Sequence, residues 1–553
     1  MKLIRSLFYN YVSNKKGCAY FWFNHKSKII LIFCIILFVT FYFLIDFSSQ
    51  SLVAHDEGLY ARRSRIIEES NNWFASPFSS PHHKTLGSYW FIALSIRLFG
   101  NSELALRLPS IVFSFICLIV TYYISLIIAN KTIAIYSVIS LSSMPLWIQY
   151  SKYSSPDISF VLTILLVILF LLKFVQSKIY FSKYCYIFSS GLFISISFFI
   201  RSYMSFVPII GLSPFIFSHL VKAKNIFRMV FFSGMVIGSF PTVINLYYSY
   251  NQFGPSGIIS LFDFAKKQAI SGYELSNLLN IPLKITYSTF PIGILFLLLI
   301  VFAKSTFYSK YPLLVYYFPL ISLVILISMS TTYPHYYLFL LPSLSILFST
   351  YLQYNSYRFK LSRKFFKYFL YIFLVTVPLI LAVSLLFFKG SLFQLSSRNN
   401  VIFCSLFVLL ILSYCLSIIS YNTNKRFGIY LNNLLLLLAI PQYISLSLFY
   451  NFGIMGSPNL SVKSFINDEQ VSSIIKNNTI YLYNVDTKLE TLLLYYLPTS
   501  KVVNSLDYSF KYDYLITSYN NFILLKKTIP NNNLLFKSIK KLDKHILLVN
   551  ISK

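Results

Sequence analysis

The sequence predicts an α-helical polytopic membrane protein of about thirteen spans, followed by a small extracytoplasmic α/β domain. Three observations carry that expectation. The 553-residue chain is 56% hydrophobic and 19% aromatic but only 11% charged, too apolar for a soluble protein of this length. Thirteen stretches approach or exceed the ~17 apolar residues that a bilayer-crossing helix needs. The charges, finally, sort by side. With a cytoplasmic N-terminus, the inner segments 1–28, Lys131, 173–183, 221–228, 304–310, 353–367 and 421–427 hold 22 Lys and Arg and no Asp or Glu. All 16 acids fall on the other side or at its boundary, as the positive-inside rule requires.

The span cores run in order over 29–46, 109–129, 132–148, 158–173, 184–200, 203–220, 228–248, 288–303, 312–329, 335–352, 367–388, 401–420 and 428–450. They define a membrane module over 1–455 and an outer C-terminal domain over 456–553. Residues 1–28 are basic and aromatic with no small-residue cleavage site after the first span, so a retained N-terminus is expected. The first outer loop, 47–108, is rich in charge, and its apolar spacing predicts two amphipathic helices lying on the membrane surface, over 57–70 and 88–99. In the C-terminal domain, "TIYLYNV", "YDYLITS", "NFILLKK" and "HILLVNI" read as strands. The six cysteines avoid that domain and form no CxxC, which argues against a disulfide framework. The net charge of +31 is explained by topology, so no nucleic-acid partner is implied, and there is no Walker-type phosphate loop.

Five motifs then occur in order. They are "DEGLYARRSRIIEESNNW" (56–73), "HHKTLGSYW" (82–90), "FGNSELALRLPS" (99–110), "SKYSSPDISF" (151–160) and "PHYYLFLLPSLSIL" (334–347). They resemble the D-E-x-x-Y-A-x-x-S-R, K-P-P-L-x-Y-W, F-G-x-x-E-x-A-x-R-L-P-S, R-x-x-x-P-D and P-H-Y-x-L-P patterns of bacterial lipid A aminoarabinose transferases. Their relatives, the dolichyl-phosphate-mannose-protein mannosyltransferases, share the pattern. The resemblance implies a GT-C membrane glycosyltransferase. Such an enzyme moves one sugar from a polyprenyl (undecaprenyl-type) monophosphate carrier to a lipid, glycan or protein acceptor at the outer face of the cytoplasmic membrane.

By that resemblance Asp56 is the catalytic base or acceptor-orienting carboxylate, and Asp157 a second active-site carboxylate. Lys84, Arg201 and Tyr336 would hold the carrier phosphate, whose departure needs nearby cations. Each has a plainer reading. Adjacent acids suit a helix N-terminus, Asp157 after Pro156 suits a helix start, and Lys84 or Arg201 would snorkel to headgroups. Tyr336 suits an aromatic belt. His83 stands where the aminoarabinose transferases carry a glutamate thought to bind metal, which makes it the candidate ligand of a divalent metal ion. The family's partner histidine has no counterpart in 251–287, however. Thr85, Leu86 and Gly87 also depart from the usual Pro-Pro-Leu. The competing reading is a flippase or transporter of a lipid-linked sugar. Transporters favour internal repeats and ionisable groups at the bilayer midplane; here the repeats are missing and the ionisable groups sit at span ends.

Overall fold

The computed structural model describes residues 51–53, 56–75, 81, 84–270, 277–302, 310–329, 333–358, 368, 371–372, 374–375, 397–423, 427–451, 460–503, 513–528, 536–542 and 545–550. The first loop contributes α1 (Asp56–Ser70) and α2 (Gly87–Phe99). The membrane helices that follow are α3 (Glu103–Ile128), α4 (Lys131–Ser143), α5 (Pro145–Tyr150), α6 (Asp157–Gln176) and α7 (Tyr180–Arg201). After a 3-10 turn (Ser202–Ser205) come α8 (Phe206–Leu220), α9 (Asn225–Phe253), α10 (Ser256–Ile270), α11 (Asn277–Ser288) and α12 (Ile292–Phe302). A π-turn at Leu313–Tyr317 leads into α13 (Phe318–Ser328), and a 3-10 segment at Pro334–Leu340 leads into α14 (Leu341–Arg358). The bundle closes with α15 (Ser397–Thr423) and α16 (Phe427–Asn451). Every expected span core except the first and the eleventh falls on these elements, with 132–148, 203–220, 288–303, 312–329 and 335–352 each divided between two of them; the first and the eleventh lie wholly or almost wholly outside the described residues.

Among the described residues, four helical stretches are by themselves long and apolar enough to cross a bilayer: Glu103–Ile128, Asp157–Gln176, Tyr180–Leu220 and Asn225–Phe253. The third contains two of the expected spans. Ser202, at φ 49, breaks the helix after Arg201. Beyond the break, α8 returns to the end where α7 began, because Phe215 and His219 share a cavity with Val175 and Gln176 of α6. At that end the Lys224 ammonium lies 5.2 Å from the Tyr180 ring centroid.

The closest helix pair is α7 with α9, and small residues permit it. A Cβ built at Gly191 would meet the carbonyl oxygen of Phe231, and one at Gly234 or Gly238 would meet the carbonyl of Phe188 or Leu192. Close backbone approach through glycines is how helices associate where the hydrophobic effect between them is weak. The other side of α9 presents Met229, Phe232, Val236, Phe240 and Val243 outward, a lipid-facing stripe.

The C-terminal region begins with α17 (Leu460–Ile466), α18 (Glu469–Asn477), β1 (Ile480–Tyr483), α19 (Thr487–Tyr496) and β2 (Lys501–Val503). It ends with β3 (Tyr514–Ser518), α20 (Tyr519–Thr528), β4 (Phe536–Leu542) and β5 (His545–Asn550). They form one mixed sheet in the order β2-β1-β3-β5-β4. Three expected strands are present, but "NFILLKK" lies within α20. A short apolar run carries no period that separates helix from strand, and α20 packs on β3 and β5 instead of extending the sheet.

The apolar side of α1 also has a different partner from the membrane surface expected for it. Tyr60, Ala61 and Ile67 are buried with Leu492, Leu493 and Leu497 in one core that also contains Tyr89, Ile92 and Ile96 of α2. The C-terminal domain supplies the apolar cover that lipid would otherwise provide. On α2, by contrast, Leu94, Leu98 and Phe99 remain exposed.

Replacing Gly234 by Val should push α7 and α9 apart and cost about 1–3 kcal/mol, as overpacking does. A lowered thermal midpoint of the detergent-solubilised protein checks this, and an unchanged midpoint contradicts the close-packed pair.

Candidate active site

The site is built on two strongly bound carboxylates. Glu57, the second residue of α1, is fully buried. Its oxygens accept from Arg107 Nε at 2.9 Å and Arg107 Nη2 at 2.8 Å, from the backbone N–H of Val53 at 2.8 Å and from that of Ser154 at 2.9 Å. Arg107 also donates to the carbonyl of Ser51 at 3.2 Å. One carboxylate thereby joins the start of the first loop, α1, α3 and the loop before α6. Arg107 thereby fixes the first loop helix to the bundle.

Asp157 is the first residue of α6, and its Oδ1 lies 2.9 Å from Nη2 of Arg201 at the end of α7, both side chains largely buried. Arg201 in turn lies 6.0 Å from the ring centroid of Tyr336. His335, one residue earlier, shares a 3.2 Å hydrogen bond through Nδ1 with the Tyr150 hydroxyl and packs edge-on against Tyr336 at 4.7 Å. The sharp turn at Ser202 therefore aims the Arg201 guanidinium between the start of α6 and the Pro334–Leu340 segment.

Lys84 reaches the same place from the first loop. Its Nζ donates to the Tyr60 hydroxyl at 2.9 Å and sits 4.9 Å from that ring's centroid. Burial holds its ammonium below the ordinary lysine range. The charges of Arg201 and Arg63 push the same way, against Tyr89 and Asp157. The following residues explain how the loop is held. Thr85 N–H donates to Ser202 Oγ at 3.2 Å, and Thr85 Oγ1 donates to the carbonyl of Phe198 at 3.3 Å. Gly87 lies flush on Phe199, where a Cβ would stand 2.6 Å from that carbonyl oxygen. The departure from Pro-Pro-Leu is thus a set of contacts that clamps the Lys84 segment to the turn carrying Arg201.

The structure brings Lys84, Asp157, Arg201 and Tyr336 into one neighbourhood. Asp56 opens α1, one residue from the Glu57 knot, and its side chain lies outside the described residues. His83 also lies outside them. Among the described residues no three His, Cys, Asp or Glu side chains gather to hold a metal. Asp157 is paired with Arg201, and the His335 Nδ1 with the Tyr150 hydroxyl.

Sequence reasoning missed two supports. One is the Glu57–Arg107 knot. The other is Lys152, buried between α5 and α6, whose Nζ donates to the carbonyl of Ser447 in α16 at 3.2 Å. Burial first, and then Arg107, lower its pKa to about 7. The spacing of Lys152 before Pro156-Asp157, inside the fourth motif, was the available signal.

ArnT from Cupriavidus metallidurans bound to undecaprenyl phosphate superposes with a TM-score of 0.70 at 15% identity, covering 94% of this chain and 98% of that one. Its apo state gives 0.69 at 16% identity. The chain shares the fold of these ArnT structures. At that identity the likeness carries the fold alone.

Sequence comparisons agree with the resemblance read from the motifs. Residues 83–248, which include Lys84, Asp157 and Arg201, match the family model described as dolichyl-phosphate-mannose-protein mannosyltransferase. An undecaprenyl phosphate-alpha-4-amino-4-deoxy-L-arabinose arabinosyl transferase of Yersinia enterocolitica is 26% identical over 213 residues, 37% of this chain. That of Aeromonas hydrophila is 32% identical over 76 residues, 13% of this chain. The matched segments span 38% and 14% of those relatives' lengths. On this scaffold Lys84, Asp157, Arg201 and Tyr336 lie near the start of α6 and the end of α7.

Glu57→Ala should destabilise the protein by about 3–5 kcal/mol, because it leaves Arg107 as a buried uncompensated charge. The double variant with Arg107→Met should recover part of that loss. Thermal unfolding in detergent reads both; a Glu57→Ala protein that melts like the parent contradicts the knot.

Proposed function

We propose that this chain transfers a single sugar from a polyprenyl monophosphate carrier to a lipid, glycan or protein acceptor. The reaction takes place at the outer face of the cytoplasmic membrane. The N-terminus is cytoplasmic, and the sheet domain and site lie outside. The observation that carries the proposal is the convergence of Lys84 and Arg201 on one mouth of the bundle, with Asp157 fixing the guanidinium.

In the reaction the acceptor oxygen forms a bond to the anomeric carbon. The bond from that carbon to the carrier phosphate breaks, and polyprenyl phosphate leaves with the electron pair. Lys84 and Arg201 bind the phosphate and absorb its developing charge through charge-assisted hydrogen bonds. Asp157 acts through Arg201 by holding it in place. The Tyr336 ring walls the guanidinium. Asp56, at the start of α1, takes the proton of a hydroxyl acceptor or orients an already anionic one. The undecaprenyl carrier and the aminoarabinose donor named for the relatives give the chemical class to try first, with lipid A or protein as acceptor.

Envelope lipids and glycans from cells with and without the protein should differ by the mass of one sugar. Asp56→Asn should lower transfer by about a hundred- to ten-thousand-fold. Mass spectrometry of the envelope and a transfer assay on the purified protein read the two effects. A change of leaflet with no new sugar bond would point to a flippase, and an Asp56→Asn enzyme of full activity would remove the base.

The Lys84 shift sets a pH dependence. Its lowered folded-state pKa means that the ammonium loses its proton at lower pH than a free lysine. Carrier affinity should be full below that value and fall as pH rises through it. Lys84→Arg, whose guanidinium stays charged, should flatten the profile. Carrier KM measured across neutral to alkaline pH checks this; identical profiles for both proteins contradict it.

A further inference from the structure

The third motif, residues 99–110, carries a glutamate that the transfer chemistry does not use. Glu103 is the first residue of α3. Its Oε1 accepts from Lys463 Nζ of α17 at 2.7 Å and from the Tyr496 hydroxyl of α19 at 3.1 Å, and the Glu103 and Lys463 side chains are largely buried. Two residues earlier, Asn101 Oδ1 accepts from the Tyr495 hydroxyl at 2.8 Å. Three side chains of the C-terminal domain thus converge on the start of α3.

The Tyr496 hydroxyl has a second partner. It accepts from the backbone N–H of Leu52 at 3.0 Å, 444 positions away. The carbonyl of that same peptide group, belonging to Ser51, accepts from Arg107 Nη2 at 3.2 Å. One peptide unit is therefore gripped from both sides, by α19 of the C-terminal domain and by α3 of the bundle. The next N–H, that of Val53, goes to Glu57, and the Val53 carbonyl accepts from the Gly58 N–H in α1 at 3.2 Å. Ser51 and Leu52 are fully buried, so an N–H released there would be left unsatisfied. Asp56 follows Val53 by three residues. Burial first, and then the charge of Glu103, hold the Tyr496 phenol above the ordinary tyrosine range, so the hydroxyl keeps the proton that it donates. Further along α1, Arg65 donates to the carbonyls of Leu494 and Tyr495, which ties the same two helices a second time.

We propose that Tyr496 is a positioning residue for the transfer: through it the C-terminal domain fixes the Ser51–Val53 segment, and with that segment the place of Asp56 at the start of α1. The role rests on the reading of Asp56 as the base or acceptor-orienting carboxylate. Such a group works only within hydrogen-bond reach of the acceptor, and a displacement of about 1 Å costs about a hundredfold in rate. Lys84 and Arg201 are held by other ties, to Ser202 through Thr85 and to Asp157. Loss of the Tyr496 hydroxyl should therefore slow transfer and spare carrier binding.

Tyr496→Phe removes the hydroxyl, keeps the ring and leaves the Lys463–Glu103 pair in place. Three measurements on the full chain read it, each at a temperature where the thermal midpoint shows the variant folded. In hydrogen exchange, peptides covering Leu52–Tyr60 should exchange about fivefold faster than in the wild type, the factor that one hydrogen bond confers, while peptides of α9 keep their rates. In cells, the product one sugar heavier should accumulate about tenfold or more slowly per mole of protein. The affinity of the purified protein for undecaprenyl monophosphate should stay within about twofold of the wild type, since Lys84 and Arg201 keep their own ties. Lys488→Ala, exposed on the same helix, should match the wild type in all three. Unchanged exchange over Leu52–Tyr60 overturns the proposal, and so does a loss of carrier affinity large enough to account for the slower transfer. A wild type that moves no sugar overturns the proposed function and this role with it; normal wild-type transfer beside a fully active Tyr496→Phe protein overturns this role alone.

Discussion

One buried carboxylate holds the architecture around the site. Glu57 has no solvent access, and its two oxygens receive four N–H groups from Arg107, Val53 and Ser154. Taking such a charge out of water is costly unless its lone pairs are filled, and here they are. The result is a fixed point where the first loop, α3 and the loop before α6 meet. Asp56 precedes that point by one residue and Asp157 follows Ser154 by three. The positions of both carboxylates named from the sequence are therefore set by a third that has no chemistry of its own.

From that point the site is assembled by two long-range ties. Thr85 and Gly87 bind the Lys84 segment to the turn at Ser202, and Asp157 binds Arg201 across from α6. Both cations are brought to one mouth, and a single carboxylate neutralises only part of their charge. Burial is the first cause of the lowered proton affinity of Lys84, and the charges of Arg201 and Arg63 add to it. The C-terminal domain takes part from the other side. Arg65 of α1 donates to the carbonyls of Leu494 and Tyr495, and Tyr496 donates to Glu103 at 3.1 Å while accepting from the Leu52 N–H at 3.0 Å. The sheet domain thus braces the loop that carries Asp56.

Much of this was legible because membrane proteins write their topology in composition. Apolar runs and the sorting of Lys and Arg placed the helices and put Arg201 between two spans, on the same side as Lys84 and Asp157 of the second and fourth motifs. Period also located α1 and α2 within a residue or so. Pairing was not legible. The Asp157–Arg201 bridge joins residues 44 positions apart on antiparallel helices, and the Thr85–Ser202 contact spans 117 positions. No local pattern encodes either. The run "NFILLKK" was misassigned because seven apolar and basic residues satisfy helix and strand alike. The Gly234–Gly238 spacing on α9 was a readable close-packing signal. The apolar side of α1 was assigned to lipid because amphipathicity reports a covered side without naming what covers it.

The central claim is that Lys84 and Arg201 act on one phosphate. It is tested most directly by the affinity of undecaprenyl monophosphate for the wild type, Lys84→Ala, Arg201→Ala and the double variant. Each single change should weaken binding about tenfold or more, the loss of a charged hydrogen bond. The double variant should depart from the product of the two, because residues that share a ligand group are coupled. Wild-type affinity in Arg201→Ala, or independent effects of the two changes, would contradict the account.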